Sequence, residues 1–132
     1  MKMDYHIDAK NKILGRVASD IAVILQGKKS AAYAPNRVGT DKVYVSNVDG
    51  IRVTGAKATD KIYYRHTGYV GHLKELSFEQ KMEKDPRSVL RQAVRKMLPK
   101  NFLNQQRIKN LVFVESVASK DKRAVVSNAG AK

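Results

Sequence analysis

From Ile13 to Gln26 the apolar residues Leu14, Val17, Ala18, Ile21, Ala22 and Leu25 recur every three or four positions, with Arg16, Ser19, Asp20 and Gln26 between them. That period predicts a helix with one buried stripe, which Val23 and Ile24 widen. Asn11 is its expected cap, and Gly27 stands where a helix turns left-handed and stops. A second stripe, Val89, Leu90, Ala93, Val94 and Met97, predicts a helix that starts with Asp85 as cap and Pro86 at the first position. It should end at Leu98, because Pro99 disfavours helical geometry in the residue before it. Ser77 is placed to cap a short helix from Phe78 to Lys84, and residues 101–110 read as another helix.

Strand signals fall between these helices. Tyr5–Ala9 alternates, with Tyr5 and Ile7 on one face, and Val43–Val48 is rich in β-branched residues. A strand, a helix of about four turns and a second strand predict a right-handed crossover with parallel pairing. Asp49-Gly50 is a turn signal, after which Ile51–Thr54 is a further strand candidate. Lys61–Tyr64 is expected to extend and pair back on it, and 111–115 (LVFVE) reads as a last strand. The fold class is α/β, in a single domain over residues 1–116. Residues 117–132 are small, polar and aperiodic, as in a mobile tail.

Charge changes the picture. The 132 residues hold 26 Lys and Arg against 12 Asp and Glu, a formal net charge of +14. Residues 28–66 carry eight basic side chains against three acidic, and 67–110 carry ten against four, so the excess lies inside the expected fold. Self-repulsion of that size opposes compaction unless a polyanion neutralises it, which points to nucleic acid. The densest stretch is 54–74, TGAKATDKIYYRHTGYVGHLK, where cations, Tyr63, Tyr64 and Tyr69 alternate with Gly55, Gly68 and Gly71. Cations for phosphates, rings for stacking and glycines for close backbone approach suit an RNA surface. A charged hairpin with half-buried tyrosines accounts for the same residues. Two further groups carry charge: Lys28, Lys29 and Arg37 in the loop 28–42, and the ladder Arg87, Arg91, Arg95. Each is either a phosphate contact or a solvated face.

Enzyme chemistry finds little support. Gly50 to Lys57 approaches a phosphate loop, but Ala56 separates Gly55 from the lysine and Ala58 stands where a hydroxyl is needed. His6, His66 and His72 lack metal-type spacing, and there is no cysteine. Glu75, Glu79 and Glu83 sit four apart, as on one helix face. His66 beside Thr67 has no orienting acid. No apolar run reaches the ~20 residues that span a bilayer. The start, MKMDYHIDAK, is too soon structured for a signal or transit peptide, so a soluble cytoplasmic protein is expected. No cofactor, small-molecule substrate or membrane partner is expected.

Four segments carry a resemblance: 7–28 (IDAKNKILGRVASDIAVILQGK), 47–74 (with TGAK and YYRHTGY), 85–101 (with MLPK) and, more weakly, 107–116. In that order they resemble the bacterial-type family of large ribosomal subunit protein thirteen. The resemblance implies a mostly parallel four-stranded sheet flanked by helices, with a basic loop or hairpin extension. It also implies binding to large-subunit ribosomal RNA beside neighbouring large-subunit proteins, a part in early subunit assembly, and no enzymatic activity. Carried over, the RNA-facing positions are Lys57, Lys61, Arg65, His66, Thr67, Gly68, Lys74 and Lys100, joined by Tyr69 from the aromatic run. Asp8, Gly15 and Arg16 also match. His72 replaces a frequent glycine, Asn104-Gln105 replaces a usual Gly-Arg, and the C-terminal segment of many relatives is missing. Two rival classes are a free-standing RNA-binding regulator and a basic membrane-surface protein. The latter fits poorly, since Arg16 is the one cation on the helix at 13–26.

Overall fold

The structure, a computed structural model, describes residues 3–114. In chain order its elements are β1 (Asp4–Asp8), α1 (Leu14–Leu25), β2 (Lys42–Ser46), a 3-10 turn (Val48–Gly50), α2 (Lys57–Asp60), β3 (Ile62–His66), β4 (Leu73–Ser77), α3 (Phe78–Lys84), α4 (Pro86–Met97), α5 (Leu103–Lys109) and β5 (Leu111–Phe113). The expected tail at 117–132 lies outside the described residues.

Two parallel pairings build the main sheet in the order β1-β2-β5. Tyr5, Val43 and Leu111 form one cross-strand row, and Ile7, Val45 and Phe113 the next. Alternation puts both rows on one face, where Val43 and Val45 are fully buried. On the other face His6 stacks on Tyr44, ring centroids 5.0 Å apart. Over the apolar core lies α1, whose stripe is buried as the period predicts, with Ile24 inside and Val23 left exposed. α4 packs along α1 through Val89, Leu90 and Val94. Met97, expected in the core, is exposed at the last turn of α4. The predicted caps of α3 and α4 are present. Ser77 Oγ accepts from the Gln80 N–H while Gln80 Oε1 accepts from the Ser77 N–H, and Asp85 Oδ1 accepts from the Arg87 N–H.

Among the described residues the sheet has three parallel strands, not four. Ile51–Thr54 forms no strand; Gly50 and Arg52 are bonded instead to the β1–α1 connection. The Asn11 N–H donates to Gly50 O (2.8 Å), the Arg52 N–H to Lys12 O (2.9 Å) and the Leu14 N–H to Arg52 O (2.9 Å). One isolated parallel bridge, Ile13 to Arg52, results. Gly50 permits this approach, since a Cβ there would lie 3.3 Å from Lys10 Cα. The same clamp displaces Asn11 from its expected capping role. Asn11 turns left-handed (φ 59°), Ile13 takes the N-cap position without a side-chain cap, and Arg52 O satisfies the first amide of α1. β3 therefore pairs with β4 in a separate antiparallel hairpin, which places Glu75 on a strand rather than on a helix with Glu79 and Glu83.

The loop 28–41 is fastened from several sides. Arg107 of α5 is 2% exposed, and its Nη2 donates to Pro35 O (3.3 Å) and Arg37 O (3.2 Å). Asn110 Nδ2 donates to Gly39 O (2.9 Å), and buried Asp41 accepts from the Met3 N–H (3.2 Å). At the end of β1, Asp8 accepts from the Lys10 N–H and Asn47 Nδ2, both 3.0 Å, and these bonds hold its carboxyl below the usual range. Asp8 thus joins the ends of β1 and β2, a structural role for a residue that the resemblance singled out.

Arg107→Met should remove the two donors that hold the loop and strand their carbonyls, at a cost of about 2 kcal/mol. Chemical denaturation should show the loss, and limited proteolysis should cut faster within 30–40. An unchanged midpoint with unchanged cleavage would remove Arg107 as the fastener.

Candidate nucleic-acid interface

The hairpin projects with little core of its own. Tyr63 is the one buried side chain on β3 and β4. It lies under Lys61 Nζ (5.3 Å from the ring centroid) and Lys81 Nζ (4.0 Å). Tyr64, Tyr69, Val70 and Leu73 are exposed, Tyr69 at 76% and Val70 at 99%. Register places Arg65 directly opposite Lys74. Like charges so placed repel, by roughly 0.2–1 kcal/mol. A lone two-stranded ribbon is marginal in water, and this one also opposes cations and displays rings. Such a ribbon suits a partner that is anionic and planar.

Its tip is ordered by short-range bonds. The Gly68 N–H donates to His66 Nδ1 (2.9 Å), the Thr67 N–H to His72 O (3.3 Å) and the His72 N–H to Tyr69 O (3.3 Å). With Nδ1 accepting, a neutral His66 carries its proton on Nε2 and presents a donor to a partner. Gly68 and Gly71 sit at φ 93° and 75°, and nothing lies within 4 Å of a Cβ at either position. Their requirement inside the chain is the left-handed turn, with open space beside the backbone.

α4 carries the second basic surface. Ser88, Arg91, Gln92, Arg95 and Lys96 fall at spacings of three and four, one stripe of the helix. They form the wall of a groove of about 880 Å³ between α4 and α5, completed by Lys100, Asn101, Phe102, Asn104 and Gln105. Four cations line it and no acid does. Arg91 also lies over Phe113, 5.2 Å from the ring centroid. Arg87, the first rung of the ladder, is half-buried and outside the groove. Lys96 borders a second groove of about 630 Å³, lined also by Lys57, Lys61 and one acid, Asp60, with Ile13, Leu14, Val53, Ala93 and Met97 among its apolar lining. One lysine therefore links the α4 cations to those leading into the hairpin. Burial first, then repulsion from Lys96 and Lys61, pulls the Lys81 ammonium below its ordinary pKa, with Asp85 opposing.

The structure thus gathers Lys57, Lys61, Arg91, Arg95 and Lys100 along α4, while Arg65, His66, Thr67, Gly68, Tyr69 and Lys74 follow on the hairpin. Lys28, Lys29 and Arg37 are not among them. They are exposed beyond the C-terminal end of α1, a helix of about 18 Å, whereas the second groove lies at its N-terminal end. Lys29 Nζ there stands 5.2 Å from the Tyr5 ring centroid. Sequence reasoning missed Lys96, Gln92 and Phe102. The first two were reachable by extending the arginine ladder from spacings of four to spacings of three and four. Phe102 depends on α5 folding back.

Among the described residues, no group of three His, Cys, Asp or Glu side chains is placed to hold a metal ion, and no helix is long and apolar enough to cross a membrane. The apolar stripe of α1, which a membrane-surface helix would have to display, is buried in the core. Fold and surface define a small basic α/β protein whose chemistry is that of a polyanion binder. The sequence pattern of the ribosomal protein L13 family matches residues 2–119, and the chain belongs to that family. Large ribosomal subunit protein uL13 of Alkalilimnicola ehrlichii is 47% identical over 107 residues, covering 81% of this chain and 75% of the relative. Its counterpart in Acidithiobacillus ferrooxidans is 48% identical over 105 residues, 80% of this chain and 74% of the relative. That of Buchnera aphidicola subsp. Baizongia pistaciae is 47% identical over 110 residues, at 83% and 76%. The family is structural and non-enzymatic.

Lys74→Glu separates fold from binding by sign. Opposite Arg65 it replaces repulsion with attraction, so the free protein should melt no lower than wild type. Affinity for large-subunit RNA should fall by roughly an order of magnitude, as a phosphate contact is lost and a repulsion gained. Equal affinity would take Lys74 out of the interface.

Proposed function

We propose that the protein is a structural component of the large ribosomal subunit that binds large-subunit ribosomal RNA and supports early subunit assembly, with residues 1–116 as the binding unit. The observation that carries this reading is the α4–α5 groove, where Arg91, Arg95, Lys96 and Lys100 converge without an acidic side chain. Four cations so close are unfavourable in the free protein and favourable against a phosphate backbone. Lys57 and Lys61 extend the track past Lys96, and the hairpin ends it with Arg65, His66, Thr67, Gly68, Tyr69 and Lys74. Arg87 neighbours the track without lining its groove. Lys28, Lys29 and Arg37 form a separate contact at the far end of α1, fastened through Arg107. Family membership and the relatives' names support the subunit assignment. Neighbouring large-subunit proteins are the natural partners of the apolar surface the hairpin leaves exposed.

Sedimentation of a lysate through moderate salt should leave the protein with the large subunit. A free-standing RNA-binding regulator would instead trail with light ribonucleoprotein or free protein. In a titration of isolated ribosomal RNA, log K should fall against log salt with a slope of magnitude about four or more, at roughly 0.7 to 0.9 per phosphate neutralised. Binding indifferent to salt would remove the phosphate-contact mechanism.

A further inference from the structure

Phe102 is 80% exposed at the head of α5, next to Leu103, which is buried. It stands on the wall of the α4–α5 groove, facing a space bordered by cations and by the amide side chains of Gln92, Asn101 and Gln105. Phosphate binding alone does not call for this composition. A groove that only tracked a backbone would need the cations, not an open phenyl ring or a row of amides. At about 880 Å³ the groove is also as large as sites that enclose small molecules.

We infer that the α4–α5 groove receives an unpaired nucleotide of the RNA, whose base stacks on Phe102 and whose edge meets the amide side chains, while Arg95 and Lys100 take the flanking phosphates. This rests on the RNA-binding reading above and adds the state of the RNA bound. Helical RNA keeps its bases stacked inside the duplex, so a protein ring can stack only on a base that is splayed out. The amides carry donors and acceptors but no charge, as an exposed base edge requires. Asn104 acts differently from the other amides, because its Nδ2 donates to Arg95 O (3.4 Å) and Pro99 O (3.3 Å) and holds α5 against the end of α4. That brace sets the distance between Phe102 and the arginines. Gln92 Oε1 accepts from Lys81 Nζ, which fixes the Gln92 amide on the opposite wall.

The test uses the full chain with a large-subunit RNA transcript and compares affinity with salt dependence. Phe102→Ala should weaken binding about tenfold while leaving the salt slope unchanged, because a stacking contact releases no counterions. Phe102→Tyr, which keeps the ring, should restore it, and Arg95→Gln should lower the slope by about one phosphate. Melting of the free protein should hardly move for Phe102→Ala, since the side chain has little to lose. Ultraviolet cross-linking of the wild-type complex should then join Phe102 to a base that is unpaired in the RNA. Wild-type affinity for Phe102→Ala, with a normal salt slope, would overturn this inference alone and point to a protein neighbour for the ring. A cross-link from Phe102 to a paired base would overturn it as well. Loss of salt dependence in the wild type would overturn the RNA-binding reading itself.

Discussion

The packing of α4 on α1 sets the shape of everything this protein shows to a partner. Val89, Leu90 and Val94 are buried against the core. At about 1.5–3 kcal/mol for each apolar side chain removed from water, these three supply roughly 5–9 kcal/mol. That is comparable with the net stability of a whole domain. Surface ion pairs, at no more than about 1 kcal/mol each, are minor beside it. The helix can therefore turn Arg91, Arg95 and Lys96 into a groove that no acidic side chain lines and still stay in place. One period places apolar residues inward and Arg91, Arg95 and Lys96 outward, so core and basic surface are two faces of the same twelve residues.

Against that anchored frame, the basic surface is under strain of its own making. Lys61 and Lys96 repel Lys81 where it lies over Tyr63, and Arg65 faces Lys74 across the hairpin. Each repulsion is small compared with the core, so the fold survives them. Together they mean that a phosphate backbone relieves a cost as well as adding contacts. The hairpin has the least packing of its own. With Tyr63 alone buried, its own packing is close to the minimum for a ribbon in water.

Much of this could be read from the chain because it is local. The stripes of α1 and α4, the Ser77 box and the Asp85-Pro86 start all follow from spacings within one helix. What could not be read is set by contacts between distant segments. Ile51–Thr54 looks like a strand, yet the N–H and C=O of Arg52 at its centre are claimed by Lys12 and Leu14. Glu75 shares a helical spacing with Glu79 and Glu83, but pairing of its segment with β3 decides otherwise. α2 is four residues long, too short to show a period. Arg107 is indistinguishable from its solvated neighbours until the loop 28–41 crosses it. The basic and aromatic residues proposed to face RNA can be picked out by type, whereas their placement along α4, on the hairpin and in a separate patch at Lys28, Lys29 and Arg37 needed the fold.

The lysines along α4 and the hairpin are proposed to face ribosomal RNA. Acylation of lysines, read by mass spectrometry in the free protein and in purified large subunits, tests it most directly. Lys57, Lys61, Lys74, Lys96 and Lys100 should react readily in the free protein and be strongly protected in the subunit, with Lys84, which lines neither groove, serving as the internal reference. Equal reactivity of those five lysines in both states would contradict the account.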